Sequence, residues 1–176
     1  MITRLLFVPL LLGCVLLSGC ASSRLQSSEP PTVVAGATWS VMPLVNNTES
    51  PYAGERAQQI LAALLGSRGL NRVDLPPAPA ADNALPWDNG AAVSQQGMDW
   101  ASRNHVRYVL LGSVDEWRYK IGLDGQPAVG FTLRLMDLTT SQVVWSGTGA
   151  ASGGSHQGVA VLAQATLDRL VSRLLR

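Results

Sequence analysis

Between Tyr108 and Val114 the sequence reads YVLLGSV, a run rich in β-formers and apolar on both strand faces at its start. Such a strand belongs in the centre of a sheet, since an edge or surface strand alternates apolar with polar residues. The strand is expected to run from Arg107 to Ile121. Two more, Ala128 to Leu138 and Gln142 to Ala150, complete a meander with LDGQP and LTTSQ as its turns. Gly153 and Gly154 then break the chain. From about His156 to Arg176, Val159, Leu162, Ala163, Thr166, Leu167, Leu170, Val171 and Leu174 recur at helical spacing, which predicts an amphipathic closing helix.

Upstream, TWSVMPL (Thr38 to Leu44) reads as a short strand and NNTESPYAGE as a loop. Ser50 can cap a helix with Pro51 at its first position, where the missing N–H costs nothing. Ala53, Ala57, Ile60, Leu61, Leu64 and Leu65 supply its stripe and Gly69 its stop. Leu70 to Leu75 is expected to be a brief strand. PPAPAADNALPWDNG has no period and reads as a long surface loop. A second helix follows from about Ala91 to Asn104, with Val93, Gly97, Trp100 and Ala101 on one side. The order β-α-β-α-β-β-β-α predicts an α/β fold, a single-domain sandwich whose mixed, partly antiparallel sheet is flanked by helices.

The amino terminus assigns a compartment. Arg4 forms a short positive region, Leu5 to Leu17 an apolar stretch too short to span a bilayer, and LLSGC follows. This layout resembles the lipobox of bacterial lipoproteins. The resemblance implies a signal peptide over residues 1–19, cleavage before Cys20 and covalent lipid on that cysteine. Multiple acyl chains make such an anchor stable, and Ala21 in place of Asp implies the outer membrane, facing the periplasm. Residues 20–37, rich in Ser, Pro and small side chains, read as lipidated cysteine and tether, and residues 38–176 as the periplasmic domain. Cleavage removes Cys14, so no disulfide, redox pair or cysteine metal site is expected in the mature chain. It also removes Arg4, leaving twelve basic against twelve acidic residues. A nucleic-acid partner normally demands a basic excess, and none is expected.

Enzymatic constellations fail on residue type and spacing. Asp115 and Glu116 are adjacent in a strand, which points them to opposite faces, whereas glycosidase carboxylates must flank one bond. Only His105 and His156 could serve a serine triad or a zinc site, and no G-x-S-x-G elbow accompanies them. GTGAASGGSHQG superficially resembles a phosphate cradle but lacks the lysine of G-x-x-x-x-G-K-[ST] and reads as a turn into a helix. No enzyme activity, metal or cofactor is expected, apart from the lipid on Cys20.

With period two, Trp117, Tyr119 and Ile121 share an apolar face with Val129, Phe131, Leu133 and Leu135. Glu116, Arg118 and Lys120 oppose Thr132 and Arg134 on the other. Trp117 and Tyr119 are therefore expected to pack. Asp115 is the misfit, because its phase places a carboxylate on the apolar face. Either a bulge near Gly112 rephases the strand, or that end of the face is open to water or another subunit. Trp145 in QVVWSG is open in the same way, as core or as an interfacial anchor.

WSVMPLVNNTESPYAGERAQQIL, RYVLLGSVDEWRYKIGLDGQPAVGFTL, VVWSG and the closing helix together resemble the PelC family, outer-membrane lipoproteins of Pel exopolysaccharide secretion. PYAGERA and EWRYKIGLDGQPAVG are the most specific parts. The resemblance implies a non-enzymatic protein that forms a periplasmic ring, a dodecamer, and guides a partly cationic polysaccharide to the β-barrel exporter PelB. It also implies that Asp115 is the acidic pore residue and Trp145 a membrane-interface residue. A lipoprotein activator of a peptidoglycan synthase is the alternative, and it would need a long tether.

Overall fold

The computed structural model describes residues 22–77, 91–120 and 125–176. The leader, Cys20, most of the Pro/Ala-rich stretch and Ile121 lie outside them. In chain order the elements are β1 (Ser22–Ser27), β2 (Trp39–Val41), β3 (Val45–Asn46), α1 (Ala53–Ser67), β4 (Val73–Asp74), α2 (Ala91–Arg103), β5 (Tyr108–Tyr119), β6 (Pro127–Asp137), β7 (Gln142–Ser152) and α3 (Val159–Leu174). The sheet runs β1-β7-β6-β5-β2-β4, with β3 also beside β5. From β1 to β5 the pairing is antiparallel, and β2, β3 and β4 add in parallel. The mixed α/β sandwich expected from the sequence is the fold.

YVLLGSV stands where its two apolar faces require. Tyr108 and Leu110 point into a core closed by α1 and α3, and Val109 into a second cluster with Met42 and Ala101. Each large apolar side chain so buried contributes about 1.5–3 kcal/mol. Helix α3 buries Leu162, Ala163, Thr166, Leu167, Leu170, Val171 and Leu174, which is the predicted stripe. Gly147 and Gly149 of β7 let it approach, since a Cβ at Gly149 would lie 3.2 Å from Leu170. Gly147 and Gly149 of GTGAASGGSHQG therefore serve packing. Helix α1 buries the column Ala53, Ala57, Leu61 and Leu65, and its buried Gln58 donates Nε2–H to the Val41 carbonyl at 2.8 Å.

Four expectations are corrected. The first strand, expected to reach Leu44, ends at Val41, and a further short strand, β3, follows it at Val45–Asn46. Helix α1 does not use Ser50 as its cap: it starts after Tyr52, whose φ is 58°, with no side-chain cap. Ser50 is already engaged in the preceding loop, where its carbonyl accepts from Asn46 Nδ2 at 2.8 Å and its N–H donates to Thr48 Oγ1.

The segment expected as a tether is folded from Ser22 onward. Ser22–Ser27 pairs with β7, Val33 and Ala37 pack against the core, and the Val34 N–H donates to Tyr108 Oη at 3.2 Å. Its Ser-rich composition hid a two-residue period in which Leu25 is the one apolar side chain turned toward the core. Finally, Tyr119 does not pack in the core. It is 51% exposed, and its phenol oxygen accepts the Val159 N–H at 3.1 Å.

Candidate functional site

Helices α1 and α3 cover one face of the sheet, while α2 shields only part of the other through Met98, Trp100 and Ala101. Beyond it, among the described residues, no other helix covers the second face. Strand phase furnishes this face with Ser113, Thr132, Arg134, Ser146 and Thr148. A groove of about 770 Å³ lies there, bounded by Asn47–Ser50, Asp115–Arg118, Gly130 and Thr148–Ala150. That volume is within the range of roughly 300–1,000 Å³ typical of ligand sites.

Asp115 reaches this groove through a β-bulge. Val114 pairs with Phe131 and Glu116 with Gly130, so Asp115 has no partner across the ladder. The extra residue rephases the strand. Val114 and Trp117 both enter the core, and Trp117 meets Phe131 edge-on at 6.1 Å between ring centroids. The bulge is at Asp115 itself, not near Gly112. Asp115 and Glu116 consequently stand on the same, open face, which corrects the expectation that they point apart.

Three donors from three segments orient the Asp115 carboxylate. Asn47 Nδ2 and Ser113 Oγ donate to Oδ1 at 3.1 and 2.7 Å, and Thr132 Oγ1 donates to Oδ2 at 2.8 Å. Asn47 is itself held by its N–H bond to the Val114 carbonyl at 2.9 Å. Asn46 Oδ1 ties the loop beyond by accepting from both the N–H and the hydroxyl of Thr48. All three donors are neutral, so the negative charge is fixed in place without being cancelled. Glu116 accepts from Arg118 Nε at 2.9 Å in a solvent-exposed pair, and Glu49 completes the acidic lining. The arrangement can bind a cationic or hydroxyl-rich ligand. Among the described residues no three His, Cys, Asp or Glu side chains gather into a metal-holding group.

Asn47, Ser113, Thr132 and Glu49 were not singled out by sequence. Ser113 and Thr132 face each other across β5 and β6, a hydroxyl pair that strand alternation could have flagged.

Trp145 is not an interfacial residue in this fold. Its exposure is 1%, and a Cβ at Gly147 would sit 2.5 Å from the indole Cη2. Glycine there makes room for the ring. The indole Nε1 is buried without a hydrogen-bond partner. Cys20, the residue expected to carry lipid, is outside the described residues. His105 lies exposed in the turn before β5 with φ 55°, and His156 is exposed before α3.

Asp137 lies at the far end of β6. The Thr139 hydroxyl, then its N–H and the Arg107 guanidinium, hold its pKa below the ordinary carboxylate value against the opposing effect of burial. Its partners are all structural.

No family model matches the chain, and no curated protein does. Solved structures do. A PelC dodecamer from Paraburkholderia phytofirmans is 33% identical, covers 87% of this chain and 97% of its own, and superposes with a TM-score of 0.73. A single-residue variant of it in a second crystal form gives 35% identity, 87% and 98% coverage and a TM-score of 0.75. A hypothetical protein from Chlamydia trachomatis, 13% identical over 80% of this chain and 96% of its own, shares the fold at a TM-score of 0.54.

Proposed function

The chain belongs to the PelC family, and on that premise we propose that it is a non-enzymatic lipoprotein, anchored through Cys20 to the periplasmic face of the outer membrane. It assembles into a homo-oligomeric ring and guides a cationic exopolysaccharide, Pel, toward the β-barrel exporter PelB. The ring is supported by relatives described as dodecamers.

The observation that carries the guidance role is the Asp115 carboxylate, oriented by Asn47, Ser113 and Thr132 and open to the groove. A ring repeats that charge around its circumference. Repetition of one sign in a confined opening focuses the field and concentrates a cationic polymer. The acid needs only to be fixed and accessible, and a neutral chain overall is no obstacle.

Electron microscopy of the acyl-free domain tests assembly: closed rings with Asp115 toward the lumen support the proposal, and monomers at high concentration contradict it. Asp115→Asn tests guidance. Rings that assemble but secrete little polymer are expected, whereas unchanged secretion would remove the role of this acid. The alternative, activation of a peptidoglycan synthase, needs a reach that the folded Ser22–Ala37 segment withdraws.

A further inference from the structure

Strand β1 fixes where the lipid leaves the domain. Ser22 pairs with Ser152, Ser152 with Ala128, and Ala128 with Arg118, so all four stand at one end of the sheet. Cys20 precedes Ser22 by two residues, a span of at most about 7 Å. An acyl group on Cys20 is therefore attached within about 7 Å of this end.

The same end carries apolar and basic side chains suited to a lipid surface. Tyr119 and Val161 are 51% and 60% exposed, and the bond between the Val159 N–H and Tyr119 Oη sets the first turn of α3, which carries Val161, beside Tyr119. Tyrosine, with an apolar body and a polar tip, suits the boundary between headgroups and hydrocarbon. Lys120 is held at the same edge by its Nζ bond to Ser152 Oγ at 2.7 Å. Lys120 and Arg24 are exposed, and neither joins the ion pairs seen among the described residues.

We propose that this sheet end is a membrane-docking surface: Tyr119 and Val161 enter the interfacial layer, and Lys120 and Arg24 face lipid phosphates. The proposal rests on the lipidation of Cys20 stated above. It replaces Trp145 as the membrane contact with residues that the fold leaves outside the core. It also places Asp115, four residues before Tyr119, about 13 Å beneath that surface. The acidic groove then opens just under the headgroups.

Nitroxide labels on the full lipidated chain test the orientation. Cys14 leaves with the leader and the Cys20 thiol is acylated, so a single introduced cysteine is labelled alone. Tyr119→Cys, Val161→Cys and Val143→Cys proteins are reconstituted in phosphatidylethanolamine–phosphatidylglycerol vesicles. Collision with lipid-soluble oxygen is then compared with collision with an aqueous nickel chelate. Val143 is also exposed, but lies near the opposite end of β7.

The oxygen-to-nickel ratio at 119 and 161 should exceed that at 143 severalfold. Equal ratios at all three sites, a higher ratio at 143, or shielding of 119 and 161 from both reagents would overturn the docking. Intact mass and flotation report the premise separately. An unacylated chain that does not float removes the lipidation and the proposal with it. A floating chain with aqueous 119 and 161 overturns the docking alone.

Discussion

Asp115 and Glu116 are consecutive in β5, yet both side chains stand on the open face, with Cβ atoms 3.7 and 3.4 Å from the point a Gly130 Cβ would occupy. Without the bulge, one of the two would enter the core. With it, the core receives Trp117 and the groove receives both carboxylates. The two glycines beside the bulge have unlike surroundings: a Cβ at Gly112 would fall on the Thr132 carbonyl, at 2.0 Å from its oxygen.

This contrast gives a first prediction. Gly130→Ala meets only ordinary contacts and should leave stability unchanged or raise it by up to about 1 kcal/mol, because the unfolded chain loses freedom. Gly112→Ala must displace backbone and should cost about 1–3 kcal/mol or more. Urea denaturation of the acyl-free domain measures both. A harmless Gly112→Ala would mean that β5 and β6 do not approach as described.

The second prediction concerns charge at the groove. Asp115→Asn keeps the shape, and the Ser113 and Thr132 hydroxyls can reorient around an amide, so stability should stay within about 0.5 kcal/mol. Affinity for a cationic amino-sugar oligomer should fall about tenfold at low salt, equivalent to about 1.4 kcal/mol. The difference should shrink as salt shortens the screening length from about 10 Å at 0.1 M to about 3 Å at 1 M. Calorimetric titration at the two salt concentrations checks it. A salt-independent difference would point to lost hydrogen bonding instead.

Much of this was legible in the sequence because periodicity reports which face of an element is covered. The YVLLGSV run fixed the centre of the sheet, and the α3 stripe fixed the helix that closes the core. Asp115 announced itself as a misfit for the same reason. Its resolution was not legible, since a bulge is defined by pairing with another strand and local phase cannot locate it. Ser22–Ser27 was missed because a polar edge strand with one inward apolar residue has the composition of a linker. Tyr119 was misplaced because strand phase does not show where the sheet ends: Trp117 has the same phase and is buried. Both readings of Trp145 fitted its sequence, and only the Gly147 gap beneath the ring separates them.

Trp145 supplies the third prediction. As a fully buried ring, it should lose about 3–5 kcal/mol on substitution by alanine. An interfacial anchor would instead lose membrane binding with little change in stability. Denaturant midpoints of the acyl-free Trp145→Ala domain distinguish the two, and an unchanged midpoint would contradict the buried position.

Strand β1 supplies the fourth. Its amides pair with β7 and should exchange with deuterium far more slowly than a tether's, which would be fully labelled within seconds. Peptides covering Ser22–Ser27 should be protected together with those of β7. Ring formation alone cannot substitute for this comparison, so dilute monomer should be measured too. Immediate exchange over Ser22–Ser27 in monomer would restore the tether and remove the basis for a fixed lipid exit.

The last prediction follows from Asp137. Its carboxylate accepts from the Thr139 N–H at 2.9 Å, the Thr139 hydroxyl at 2.6 Å and Arg107 Nη2 at 3.2 Å. These bonds favour the charged form, and they hold the native pKa below the ordinary value of 3.8. The unfolded chain therefore binds the proton at a higher pH than the native one does. Stability from this group is fully present above the unfolded value and is lost as pH falls through the native value. Asp137→Asn should be less stable than the parent by about 1.5–3 kcal/mol at pH 7, the usual worth of hydrogen bonds to a charged group. That gap should begin to close near pH 4 and narrow as the native carboxyl protonates. Urea midpoints for both proteins from pH 7 to pH 2 follow it. A gap that stays constant to pH 2 would show that the lost interactions do not depend on the charge of Asp137.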